Sequence, residues 1–93
     1  NPYYHISLGN DAYTTARYQD AIKHYKKARD LNPTLHDTDF GLARTYYQLG
    51  DLKLAKKHLT LANDKADFDH DKQRYEGKLQ ALRSHTAKLT HYQ

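Results

Sequence analysis

Seven histidines, ten aspartates, a single glutamate and fifteen lysines and arginines are the side chains in this 93-residue sequence that could do chemistry. The histidines stand at 5, 24, 36, 58, 70, 85 and 91, and no two are three or four residues apart, so no pair on one helical face can share a metal ion. Absence of cysteine removes thiolate metal sites, thiol nucleophiles and disulfide frameworks together, and it leaves the compartment open. Glu76 has no glutamate partner, and most aspartates sit where helices start or chains turn, so paired-carboxylate acid–base chemistry has no support. No phosphate loop, nucleophile elbow or dinucleotide fingerprint is present. The expectation is therefore a non-enzyme with no catalytic residue, no metal and no cofactor. Protonating every histidine would add seven charges to the formal +4, so partner binding is expected to respond to pH near about 6.

The elements that must position these groups are helical. Twelve leucines, ten alanines and nine tyrosines dominate the apolar set, with two isoleucines and no valine, which excludes a sheet-built core. No apolar run approaches the roughly 18 residues of a membrane span. No signal-peptide pattern opens the chain, and the absence of a starting methionine suggests a processed or excised sequence.

Sliding the sequence against itself by 34 residues superposes Leu8 on Leu42, Tyr13 on Tyr47, Ala21 on Ala55, Lys23 on Lys57, His24 on His58, Ala28 on Ala62 and Asp30 on Asp64. Leu8 and Ala12 with the 15/16 pair, and Leu42, Tyr46 and Leu49, mark one helical face in each unit. Tyr18, Ala21, Ile22, Tyr25 and Ala28, matched by Leu52, Ala55, Leu59 and Ala62, mark a second. Each unit thus holds two amphipathic helices. Gly50-Asp51 and the equivalent Ala16-Arg17 separate the helices within a unit. Asn32-Pro33 is read as the N-cap and first residue of the next helix, as Asn1-Pro2 is at the start of the chain. Asp67, Asp69 and Asp71 open a fifth helix with Tyr75, Leu79, Leu82 and Leu89 on one face, and Lys88 to Gln93 is expected to fray.

These residues resemble the tetratricopeptide repeat family, whose unit is a 34-residue helical hairpin. Leu8, Gly9, Tyr13, Ala21, Tyr25, Ala28 and Pro33, then Leu42, Ala43, Tyr46, Ala55, Leu59 and Ala62, stand where the family pattern has small or large apolar residues. His5 and Asp39 depart from it where tryptophan is frequent, and Asp67 stands where proline would close the second unit. The resemblance implies an all-α, right-handed stack of antiparallel hairpins in a single domain over 1–93: repeat one 2–35, repeat two 36–67, and a capping helix about 69–88. Alanines on the second helix of each pair allow neighbours to approach within about 8–10 Å, and His24 and His58 are expected to be exposed on that outer helix.

What the resemblance implies for function is a protein-interaction scaffold that holds a peptide or protein segment on the concave face, as part of a larger protein or assembly. Carried over, that face takes Tyr3, Ile6, Asn10, Tyr13 and Thr14 from the first unit, and Asp37, Phe40, Gly41, Arg44, Tyr47 and Gln48 from the second. Arg74, Tyr75 and Lys78 continue it in the fifth helix. Ile6, Asn10, Tyr13, Phe40, Arg44, Tyr47, Gln48, Arg74 and Lys78 are the expected peptide-binding residues, with Tyr13 and Tyr47 as the repeated surface pair. The family's clamp for chaperone C-terminal carboxylates is absent, since only Asn10 matches and Ile6, Gly41, Asp71 and Tyr75 occupy its other places. A homo-oligomer through the N-terminal face around Tyr3, Tyr4, Ile6 and Tyr18 is one way to complete a short array. The alternative function is a nucleic-acid-associated basic helical domain, but the lysines at 23, 26, 27, 53, 56 and 57 alternate with aspartates as solvated faces do.

Overall fold

Two helix starts follow directly from side-chain chemistry. The Asn1 side-chain oxygen Oδ1 accepts the Tyr3 amide at 3.0 Å while Pro2 occupies the first helical position, and the Asp51 carboxylate accepts the Leu54 amide at 3.0 Å. In the computed structural model, which describes the backbone of residues 1–92 and the side chains of 1–85, five helices result. They are α1 (Pro2–Thr14), α2 (Tyr18–Leu31), α3 (His36–Gln48), α4 (Leu52–Lys65) and α5 (Asp69–Tyr92), with no strand among the described residues. α1 packs on α2 and α3 on α4 as hairpins, α2 meets α3, α4 meets α5, and α1 also touches α3.

Asn32 does not cap α3. Its backbone is extended at the end of α2, and its side-chain oxygen accepts both the Thr34 amide (3.1 Å) and the Thr34 hydroxyl (2.7 Å). This local turn consumes the capping group, so α3 begins later, at His36 after Leu35. α5 runs to Tyr92, past the expected end near residue 88, and the expected packing of Leu89 lies outside the described side chains.

The turns inside the two hairpins are the same motif. Arg17 N–H donates to the Ala12 carbonyl at 2.8 Å and Asp51 N–H to the Tyr46 carbonyl at 2.9 Å, each closing a helix end that needs a left-handed residue just before the donor. Gly50 supplies φ +81°, whereas Ala16 is held at φ +61°. A left-handed alanine costs about 1–2 kcal/mol, partly offset in a glycine variant by the larger entropy of its unfolded chain. Ala16→Gly is therefore expected to raise stability by about 0.5–1 kcal/mol, read as a higher midpoint in urea with an unchanged slope.

The core has two parts. Ile6, Ala12, Ala21, Ile22, Tyr25, Ala28 and Leu42 form the first, and Ala43, Ala55, Leu59, Ala62, Ala66, Tyr75, Leu79 and Leu82 the second, with Tyr46 packed against both. The four repeat-related alanines are almost completely buried, as close helix approach requires. The inward face of α1 is Ile6, Gly9 and Ala12, with Leu8 half-buried, and Leu49 is exposed at the end of α3. In α1 the inward face thus runs through Ile6 and Gly9 rather than Leu8, with Gly9 seating Tyr25, whereas in α3 Leu42 and Tyr46 pack inward as expected and Leu49 alone does not.

Candidate functional site

Tyr25 reaches from α2 into a notch that two glycines make. A methyl carbon placed on Gly9 or Gly41 would lie 2.6 or 2.5 Å from its ring carbons, so both helices need a residue without a side chain there. The ring is fully buried, and its hydroxyl donates to the Asn10 side-chain oxygen at 2.5 Å. Arg44, from α3, donates to the same Asn10 oxygen at 2.9 Å and to the Tyr25 hydroxyl at 3.1 Å. Burial raises the Tyr25 phenol above its ordinary value against the opposing pull of the Arg44 bond and charge.

The Arg44 guanidinium then lies over the Tyr13 ring, 4.0 Å from its centre, within the range of a cation–π contact. Beyond it opens a cavity of about 350 Å³. Tyr13, Phe40 and Tyr47 form aromatic walls, buried Ala43, Leu59 and Leu82 an apolar floor with Ala81 at its exposed edge, and Arg44, Lys78 and His85 supply positive or protonatable groups. Tyr47 is 48% exposed, and Tyr13 is half-buried beneath Arg44.

Of the expected site residues, Tyr13, Phe40, Arg44, Tyr47 and Lys78 thus come together around one hollow. Arg74 sits beside it, 5.1 Å from the Phe40 ring centre and 3.6 Å from the Asp71 carboxylate. The Gln48 amide nitrogen is 3.4 Å from the Tyr13 hydroxyl, and Asn10 is engaged by Tyr25 and Arg44. Ile6, expected on the concave face, is instead buried in the first core cluster, where it packs the hairpin. Gly41 serves as the seat of Tyr25. Tyr75 is wholly buried, its hydroxyl 2.7 Å from His36 Nδ1 and accepting from Arg74 at 3.2 Å. Burial raises its phenol too, with Arg74 opposing and Asp37 and Asp71 adding to the rise.

A second polar cluster was not foreseen from the residue pattern. Asp39, in the first turn of α3, is completely buried, and its two oxygens are 3.2 Å from His58 Nδ1 and 2.5 Å from Lys65 Nζ. His58, expected to be exposed, is buried at 4% and stacked on Tyr46. Burial by itself would raise the Asp39 carboxyl, but the bonds from His58 and Lys65 and their charges outweigh it and hold the group below its ordinary range. The signal available in the sequence was the 34-residue lag itself. Asp39 replaces the large ring usual at its place, and a buried replacement that carries charge needs partners on the facing helix. At the equivalent place in the first hairpin stand His5 and His24. Burial, then Lys27, the chain's amino terminus and His24 hold the His5 imidazole below its ordinary value.

Among the described residues, no three His, Asp or Glu side chains gather as metal ligands, and no helix is long and apolar enough to cross a membrane. A family model described as Tetratricopeptide repeat matches residues 13–82. That span takes in the end of α1, all of α2, α3 and α4 and the first half of α5, and with helical hairpins stacked in sequence order it shows that the chain belongs to the tetratricopeptide repeat family.

Proposed function

We propose that the hollow between α3 and α5 holds a segment of a protein partner, making the chain an interaction module of a larger protein or assembly. Tetratricopeptide repeats generally mediate protein–protein interaction and are non-catalytic scaffolds. The observation that supports the concave site is the exposed Tyr47 ring beside a preformed, apolar-floored cavity, because exposed aromatics at a fixed hollow supply contact area with little ordering cost. The chaperone-tail clamp has no counterpart here. Ile6 is buried, Gly41 lies against Tyr25, the Asn10 oxygen is bound, Asp71 faces Arg74, and Tyr75 is in the core. The nucleic-acid alternative would use Lys23, Lys26, Lys27, Lys53, Lys56 and Lys57, all exposed on α2 and α4, but exposed Asp20 and Asp30 flank the first three and exposed Asp51 and Asp64 the second three.

The test is selection of peptides from a random library on the native protein, followed by affinity measurement on Tyr47→Ala. The expected result is a loss of about tenfold or more, the size of a typical aromatic hot spot, with an unchanged melting temperature because Tyr47 is exposed and belongs to neither core cluster. Selected peptides that bind the variant as tightly as the native protein would overturn the groove assignment.

A further inference from the structure

We infer that the occupant of this groove is an acidic segment in which aspartate or glutamate side chains flank one large apolar side chain. The inference rests on the groove reading above and specifies what the groove takes. Three cations converge on the Phe40 ring: Arg74 at 5.1 Å, Lys78 at 5.8 Å and Arg44 at 5.9 Å from its centre. Arg74 is offset by Asp71 at 3.6 Å. Arg44 and Lys78, among the described residues, have no carboxylate within ion-pair distance. The acceptors Arg44 does have, the Asn10 amide oxygen and the Tyr25 hydroxyl, are neutral, so they orient the guanidinium and leave its charge uncompensated. Among the described residues, the cavity lining contains Arg44, Lys78 and His85 and no aspartate or glutamate.

Two like charges held near one ring, at the mouth of an apolar hollow, repel each other until a carboxylate arrives. Among the described residues, the buried side chains of Ala43, Leu59 and Leu82 at the bottom of the hollow, with Ala81 on its exposed edge, offer such a ligand no polar group, so what enters the hollow is an apolar side chain, and the carboxylates stay at the rim. The cations approach Phe40 from two helices, α3 and α5. Acidic side chains on both sides of the anchor meet that arrangement, whereas a chain terminus brings a single charged group to one end. The charge complementarity therefore favours an internal acidic segment.

The experiment uses short, end-capped, fluorescent peptides with a central phenylalanine flanked by Asp and Glu. Comparison peptides replace the acids by Asn and Gln, or by Lys, or the phenylalanine by Ala, and one neutral peptide carries a free C-terminus. Binding is read by anisotropy and located by amide chemical shifts. The expected result is that the acidic phenylalanine peptide shifts amides around Phe40 and Lys78 and binds at least about tenfold tighter than every comparison peptide. Lys78→Glu, at an exposed position, is expected to weaken it by a similar factor and to strengthen the lysine peptide. Neutral or lysine peptides that bind equally well at the same residues overturn the acidic assignment and leave the groove reading intact. Preference for the free-terminus peptide, indifference to Lys78→Glu, or no binding by the acidic peptide overturns it as well. Shifts confined to residues away from α3 and α5 overturn both readings.

Discussion

Gly41→Ala is expected to lower the melting temperature by about 10 °C, and Gly77→Ala, the same chemical change on another helix, to raise it by a few degrees. Both glycines lie inside helices, where alanine is favoured by about 0.8–1 kcal/mol. At Gly77 nothing lies within 4 Å of the added methyl, so that gain stands alone. At Gly41 the methyl would sit 2.5 Å from two ring carbons of Tyr25. The ring cannot swing aside, since it is wholly buried, faces Gly9 across the notch and is tethered through its hydroxyl to Asn10 and Arg44. Overpacking of this kind costs typically 1–3 kcal/mol, and with backbone and ring both fixed the upper part of that range applies. The net loss is about 2 kcal/mol, and a domain of this size shifts by roughly 4–8 °C for each kcal/mol. Thermal unfolding followed by circular dichroism checks both signs in one series.

Asp39→Ala is expected to be more damaging, at about 3–5 kcal/mol in urea titrations at neutral pH, a large share of the roughly 5–15 kcal/mol that holds a domain together. The loss comes less from the bonds removed than from what stays behind. His58 is left buried, and the Lys65 ammonium, with a side chain only 24% exposed, loses its counter-charge. The same carboxylate gives the stability a definite acid limb. Its folded value lies below the ordinary one, so its contribution is complete above about pH 4, the unfolded aspartate value, and is lost as pH falls through the folded value. In Asp39→Asn the neutral amide cannot titrate. Stability measured from neutral pH down to about pH 2 is expected to start lower and to fall less steeply below pH 4 than in the native chain.

Periodicity reads contacts that repeat and misses those that do not. The alanines at 21, 28, 55 and 62 were legible because close helix approach imposes the same small residue in each unit. So was the Gly50-Asp51 break, where a left-handed turn and a cap stand side by side. Asn32 was misread because a local bond to Thr34 competes with capping, and residue preference does not rank the two. Ile6 and Tyr75 were placed on the inner face by the family resemblance, extended into α5 by register, but such a carry-over says which way a helix face points and not how deeply the neighbouring helix covers it. The Asp39, His58 and Lys65 cluster joins residues from two helices: the lag marks Asp39 as out of place, but it does not say which residues of the facing helix partner it. The same holds for Arg44: its type and place were readable, whereas its bonds to Asn10 and Tyr25 depend on two other helices.

Among the described residues, the packing contacts in this stack join helices that are neighbours along the chain or one removed, and none joins α1 to α5. Each contact therefore closes only a short loop, at little entropic cost, and chains of this kind belong to the fast end of folding rates. The hollow is the exception to that locality, for it is bounded by Tyr13 of α1 and His85 of α5. A guest seated there would connect the first helix to the last, which the described packing contacts do not. It would act as a removable brace across the open side of the solenoid, stabilising the whole array in proportion to the logarithm of its concentration.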